Sequence, residues 1–79
     1  MSSRYSHNNP FQRERKVLGQ TIRKIRSQKN MTQEDLAEKA SINVSYLAKI
    51  ENGYVNTTVR YLIKIAGGLR IQVKDLFEF

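Results

Sequence analysis

Two short helical patterns, separated by a break at Ser41-Ile42, constrain this fold more than any other feature of the sequence. They fill residues 33–52, QEDLAEKASINVSYLAKIEN. The small residue Ala37 stands where two helices crossing at a steep angle would touch. Apolar residues stand at helical spacing within each pattern, at Leu36, Ala40, Ile42, Leu47 and Ile50. The segment therefore predicts two short helices packed across each other.

Capping residues set the limits of these two helices. Thr32 is a good N-cap, and Asp35 resembles the second member of a capping box. The first helix of the pair is therefore predicted from Gln33 to about Ala40. Asn43 can cap the second helix, and Asn52-Gly53 supplies a stop that tolerates the left-handed conformation.

The helical pattern continues on both sides of this pair. Leu18, Ile22 and Ile25 predict a first helix from about Glu14 to about Lys29. Its basic residues lie largely on the other, polar side of this helix: Arg15, Lys16, Arg23, Lys24 and Arg26. Polar caps at residues 56–58 predict a fourth helix, with apolar positions at Val59, Leu62, Ile65, Ala66 and Leu69. Residues 73–77 predict a short fifth helix. No stretch has the two-residue period of a strand, so we expect an all-α, compact five-helix domain.

Basic residues gather near the start of the chain. The 79 residues carry a net charge of +7, and residues 1–29 hold eight basic residues against Glu14 alone. This asymmetry indicates either a surface that binds a polyanion, nucleic acid before membrane, or a solvated face that keeps the protein soluble. Residues 1–13 lack apolar periodicity and are predicted to form a flexible basic tail, followed by one domain over residues 14–79.

The composition excludes several kinds of chemistry. There is no cysteine, and His7 is the only histidine, so thiolate zinc sites, cysteine nucleophiles and multi-histidine metal sites are excluded. The carboxylates lie on predicted helix surfaces, and we expect neither an enzyme nor a metal or cofactor. No apolar run reaches the roughly 18 residues that span a bilayer, and the polar N-terminus lacks the core of a secretory signal. We expect a cytoplasmic protein.

Several segments resemble one family. The sequence resembles the lambda-type repressor and Cro-like helix-turn-helix proteins, often called the Xre family, over about residues 18–77. The carriers of the resemblance are LGQTIRKIR, MTQEDLAEKA, YLAKIENG, LIKIAGGL and VKDLF. The resemblance implies a lambda-repressor-like domain that binds double-stranded DNA and inserts the second motif helix into the major groove.

The family positions that contact bases fall on the N-terminal face of that helix, at Asn43, Val44, Ser45 and Lys49. Lys49 can donate to guanine O6 and N7, and Ser45 suits either donor or acceptor edges. Val44 offers van der Waals contact, best to a thymine methyl group. The alternative for Val44 is packing against the preceding helix.

Three further residues match or suit phosphate contacts. The resemblance implies that Gln33, at a helix N-terminus, donates to a phosphate, which agrees with the free N–H groups of such a terminus. The alternative is a plain first-turn residue. Asn52 matches a second phosphate position, with a left-handed turn residue as its alternative. Tyr46 either places its hydroxyl at a phosphate or is a half-buried ring beside the fourth helix.

Arg26 and Glu51 match a pair that forms a structural salt bridge in the phage repressors. Such a pair, if partly buried, orients the DNA-contacting helix more than it stabilises the fold. The alternative is two independent surface charges.

The sequence departs from the family pattern at three positions. Ser41 stands where the turn of the motif usually has glycine, so it must adopt a left-handed conformation at a cost of about 1 kcal/mol. Arg70 replaces the glycine that usually ends the fourth helix, and Gln72 is a poorer cap for the fifth helix than serine or threonine.

The last nine residues contain more apolar side chains than one short helix can bury. A two-fold dimer through Ile71, Val73, Phe77 and Phe79 would cover them, and burial against the first helix is the alternative. Leu76 is expected to be plain core. Because the chain ends at Phe79, we expect no separate effector domain and no small-molecule ligand.

These features predict a small homodimeric transcriptional regulator or repressor that binds palindromic operator half-sites. It would be similar to short phage repressors and to restriction-modification controller proteins. The alternative is an antitoxin-type interaction module that binds a partner toxin and its own operator.

Overall fold

The computed structural model describes residues 11–77. It contains four α-helices and one 3₁₀ turn in this part of the chain: α1 (Gln12–Gln28), α2 (Gln33–Ala40), α3 (Val44–Glu51), α4 (Val59–Leu69) and the turn at Val73–Leu76. No strand occurs within the described range. The all-α prediction is confirmed, and α2 and α3 have the predicted limits. Most of the predicted tail, and Phe79, lie outside the described residues.

The first helix begins two residues earlier than predicted. Phe11 precedes it in a left-handed conformation, with φ at 63° and no side-chain cap. Its carbonyl oxygen accepts a bond of 2.9 Å from the backbone N–H of Arg15. Gln12 and Arg13, which we expected in the tail, have good helix propensity and extend the helix toward the N-terminus.

Side-chain caps fix the start of α2 and of α3. Thr32 Oγ1 accepts from the Asp35 backbone N–H at 3.0 Å, and Asp35 Oδ2 accepts from the Thr32 backbone N–H at 2.9 Å. This is the predicted capping box. Asn43 Oδ1 accepts from the Tyr46 backbone N–H at 3.1 Å. Both helices therefore start where local hydrogen bonding dictates.

Left-handed residues end α2 and α4. Ser41 has φ at 56°, as predicted, and Arg70 has φ at 60°. At the end of α3 the predicted stop is present, but its left-handed residue is Gly53, with φ at 74°, whereas Asn52 is right-handed. The left-handed alternative for Asn52 is therefore wrong. Glycine adopts the left-handed conformation at a lower conformational energy than asparagine, because it has no Cβ.

The predicted fifth helix is wrong as an α-helix. Its bonds are of the tighter 3₁₀ type: the Asp75 backbone N–H donates to the Gln72 carbonyl and that of Phe77 donates to the Lys74 carbonyl, at 3.0 and 3.1 Å. The carboxylate of Asp75 also accepts from the Gln72 backbone N–H at 3.0 Å. Four residues in this geometry complete one turn and stop.

Side chains from all four helices and the final turn form one core. Leu76 is fully buried, as expected. Val59, which the helical spacing grouped with the apolar positions of the fourth helix, is 69% exposed, and its neighbours Thr58 and Arg60 are exposed as well. None of the helices in the described part of the chain combines the length and the hydropathy that a membrane span requires. The largest fully buried side chains are Ile22, Leu36, Leu47, Ile50, Ile65, Leu69 and Leu76.

Candidate nucleic-acid interface

The C-terminal end of α3 lies directly against α1. Gly19 of α1 is buried there, and a Cβ at this position would come within 2.4 Å of the Glu51 carbonyl oxygen and 2.5 Å of the Ile50 carbonyl oxygen. Only a residue without a side chain permits this approach. The contact brings the basic side of α1 within reach of the last residue of α3.

Glu51 is the centre of a network at this contact. Its side chain is buried. Arg26 donates two hydrogen bonds to it, from Nε to Oε2 at 2.8 Å and from Nη2 to Oε1 at 3.0 Å. The third nitrogen of Arg26, Nη1, donates to the Met31 carbonyl at 2.8 Å. The pair expected from the sequence is therefore in contact, and it joins α1, the turn before α2 and the end of α3.

Two more side chains donate to the same carboxylate. Gln33 Nε2 lies 3.0 Å from Glu51 Oε1, and Arg23 Nε lies 3.4 Å from the same oxygen. Burial alone raises the pKa of Glu51, but the bonds from Arg26 and Gln33, aided by the Arg26 charge, outweigh burial and lower the pKa below its ordinary value. Glu51 is a carboxylate at neutral pH, and it holds Gln33 at the start of α2.

The exposed face of α3 carries Ser45 and Lys49. Asn43 is also exposed, but its Oδ1 caps the helix, which leaves its Nδ2 as the group that can contact another molecule. Val44 is half-buried and packs against the core, so the packing alternative holds for part of this side chain.

Tyr46 is a half-buried ring beside α4. Its centroid lies 4.7 Å from that of Tyr61, with the two planes inclined by 48°. The geometry is that of an attractive aromatic pair. Of the two expectations for Tyr46, the structure favours the packed ring.

Asn52, just after α3, is exposed and is held by α1. Its Oδ1 accepts from Arg23 Nη2 at 2.9 Å. The neighbouring Gly53 carbonyl accepts from Arg15 Nε at 3.0 Å. Sequence reasoning missed both arginines as site residues. Their position on the polar side of the first helix was the one signal in the sequence that could have indicated this role. The sequence does not show that this side of the helix contacts the end of α3.

The apolar residues near the C-terminus divide into two groups. Ile71 and Val73 are half-buried and pack against the core, whereas Phe77 is 43% exposed. Phe77 also lines a shallow cavity of about 210 Å³ with Leu18, Val55 and Leu62. Other large apolar side chains that remain exposed are Phe11, Tyr54, Val59 and Ile63. The burial alternative therefore accounts for part of the group that we expected at a dimer interface.

Comparison with known proteins gives one consistent result. The helix-turn-helix family profile matches residues 22–76. The chain is 46% identical over 60 residues to the immunity repressor protein of Bacillus phage phi105, covering 76% of this chain and 42% of the repressor. It is 39% identical over 66 residues to control protein C.BamHI of Bacillus amyloliquefaciens, covering 82% of each chain.

A solved structure shares the fold. The restriction-modification controller protein C.AhdI from Aeromonas hydrophila superposes with a TM-score of 0.81 at 31% sequence identity, covering 82% of this chain and 98% of that one. The arrangement of α2 and α3 described above is thus found in a controller protein of similar length.

Proposed function

This chain belongs to the helix-turn-helix family, and we propose that it regulates transcription by binding a specific sequence in double-stranded DNA. The names of its relatives, an immunity repressor and a control protein, support this activity. The net charge of +7 supports a polyanionic partner.

The main support for the proposal is the position of α3 between two polar residues, Gln33 and Asn52, which we call its anchors. Ser45 and Lys49 are exposed on α3, while Gln33 and Asn52 lie at the start of α2 and the end of α3. Both anchors are bonded to one network around Glu51 and Arg23. An anchored helix with a free polar face is what insertion into a major groove requires.

In this proposal the side chains on α3 contact base edges. Lys49 donates to guanine, Ser45 donates or accepts, and the Asn43 amide supplies an additional donor. The exposed part of Val44 contacts a thymine methyl group. Base contacts of this kind supply sequence preference.

The phosphate contacts flank these base contacts. Gln33 and Asn52 each retain amide N–H groups that can donate to phosphate oxygens. Tyr46 is the weaker candidate, because its ring is packed on Tyr61. In this proposal only the hydroxyl group of Tyr46, and not its ring, contacts the DNA backbone.

We further propose that the protein binds as a two-fold dimer on palindromic half-sites. The exposed part of Phe77 supports an apolar contact, and Val59 and Ile63 form a second exposed apolar pair one turn apart on α4. Ile71, Val73 and Phe79 complete the interface proposed from the sequence. Two copies of α3 on one face of DNA would lie about one helical turn, roughly 10 bp, apart.

Selection of bound sequences from random double-stranded DNA tests this function. We expect an enriched palindrome whose half-sites are about 10 bp apart centre to centre. Enrichment of a single, asymmetric site would contradict the dimer. No enrichment over the input would contradict sequence-specific binding.

A further inference from the structure

We propose that Arg23 is a positioning residue for DNA binding, which acts by fixing the side-chain amide of Asn52 toward a phosphate. The inference rests on the proposed function, and it assigns a role to a residue that the sequence placed only on the polar side of α1. Arg23 lies 29 positions before Asn52 and connects the middle of α1 to the end of α3.

The geometry gives Arg23 two partners on adjacent residues. Its Nη2 lies 2.9 Å from Asn52 Oδ1, and its Nε lies 3.4 Å from Glu51 Oε1. The Glu51 side chain is fully buried, whereas that of Arg23 is 49% exposed. One edge of the guanidinium therefore bonds both the buried side chain of Glu51 and the exposed side chain of Asn52 at the end of α3.

The chemistry of the guanidinium determines which way the Asn52 amide faces. Arginine has five N–H donors and no acceptor, so it bonds only the oxygen of a side-chain amide. With Oδ1 turned toward Arg23, the two N–H groups of Nδ2 face away from α1. Among the described residues, Arg23 is the side chain that bonds Asn52, and Asn52 is exposed.

Fixing this amide before binding reduces the entropy lost when an exposed side chain is immobilised on DNA. Arg23 also places its positive charge beside the same phosphate. However, its Nε and Nη2 are already bonded within the protein, so we assign its main effect to Asn52.

Exchanging Arg23 for lysine separates these two effects. Lysine keeps the charge but has no planar fork with which to bond Glu51 and Asn52 together. The experiment measures DNA affinity, at several salt concentrations, for the full chain and for Arg23→Lys, Asn52→Ala and the double variant. Lys24→Arg changes an exposed cation at the next position of α1 and is the matched control.

We expect Asn52→Ala to weaken binding about tenfold on specific and random DNA alike, as loss of a charge-assisted phosphate contact does. Arg23→Lys should weaken binding several-fold in the wild-type background and have no further effect in the Asn52→Ala background. Its slope of log K against log salt should match the wild type, because the charge is kept. Lys24→Arg should bind as the wild type does.

Asn52→Asp provides a second test that does not depend on weakening the fold. Aspartate still accepts from Arg23 but presents a carboxylate oxygen where the amide N–H groups were. It should keep the thermal midpoint of the wild type and bind DNA more weakly than Asn52→Ala.

Equal effects of Arg23→Lys in the two backgrounds would overturn the inference, and so would unchanged binding by Arg23→Lys, Asn52→Ala or Asn52→Asp. These outcomes leave the proposed function intact, since the wild type still binds. A wild-type chain that binds no DNA would overturn the proposed function and, with it, the inference.

Discussion

Glu51 joins the parts of the chain that the proposed interface depends on. A buried carboxylate must be compensated by donors in close geometry, and Glu51 receives them from α1 and α2. The bond to Gln33 gives this network a functional consequence. The residue that the sequence predicted at a phosphate is held in place by the residue that the sequence predicted in a salt bridge.

Lys49→Ala and Gln33→Ala should affect DNA binding in different ways. Loss of a base-edge donor at Lys49 should cost about 1 to 3 kcal/mol on the selected site and little on random DNA. Loss of Gln33 should weaken binding to all sequences similarly. Titration of each variant with both DNAs measures the two effects, and an equal change in the ratio of specific to random affinity would refute these roles.

The lowered pKa of Glu51 predicts how stability depends on pH. Its folded pKa lies below the ordinary value of 4.5. The stability that the charged form contributes is therefore present above that value and is lost as the pH falls through the folded pKa. Urea unfolding of the wild type and of Glu51→Gln over this pH range measures the effect.

Glu51→Gln should be less stable at neutral pH and should lose less stability on acidification. Exposed Glu38→Gln is the control and should follow the wild-type profile. Parallel pH profiles for the wild type and Glu51→Gln would contradict the assignment.

At the scale of the helices, prediction succeeded where the determinants are local. Thr32 and Asn43 bond backbone groups three residues away, so the starts of α2 and α3 follow from the sequence. Val59 is exposed and Val73–Leu76 forms a 3₁₀ turn, and the spacing of the apolar residues alone predicted neither. The resemblance supplied the pairing of Arg26 with Glu51.

Adjacent glycines in α4 give a prediction at this scale. A Cβ at Gly67 would contact nothing within 4 Å, whereas one at Gly68 would lie 2.9 Å from Leu36 Cδ1 and 3.2 Å from the Ala40 nitrogen. Gly67→Ala should stabilise the protein by about 0.5–1 kcal/mol through helix propensity. Gly68→Ala should destabilise it by about 1–3 kcal/mol through overpacking between α2 and α4.

Thermal or urea unfolding of both variants measures these changes, and each variant is the other's control. A change of the same sign in both would mean that the packing of α4 on α2 differs from that described.

For the whole molecule, the proposed interface between two copies depends on which apolar residues near the C-terminus stay exposed in the folded monomer. Ile71 and Val73 were predicted there, but both also pack on the core, and the turn at Val73–Leu76 contacts α1 and α4. The sequence pattern shows that these apolar side chains must be buried against something. Only the fold shows how much of their surface the monomer itself buries. Of these residues within the described range, Phe77 has the largest exposed fraction.

Sedimentation at micromolar concentration tests the dimer. The wild type should sediment as a dimer, free or on DNA, and Phe77→Ser should shift the equilibrium toward monomer because it removes apolar contact area. Tyr54→Ser, at another exposed aromatic residue, is the control and should leave the dimer unchanged. A wild-type protein that is monomeric both free and on DNA would contradict the dimer.

In the proposed function, α3 recognises a DNA sequence while Gln33 and Asn52 hold the flanking phosphates. Equilibrium binding of the wild-type chain can be measured on its selected site and on a shuffled duplex of the same length and composition at the same salt concentration. Affinity for the selected site should be at least about a thousandfold higher, within the range of specific regulators. Equal affinity for the two duplexes would mean that charge alone drives binding and would refute recognition by α3.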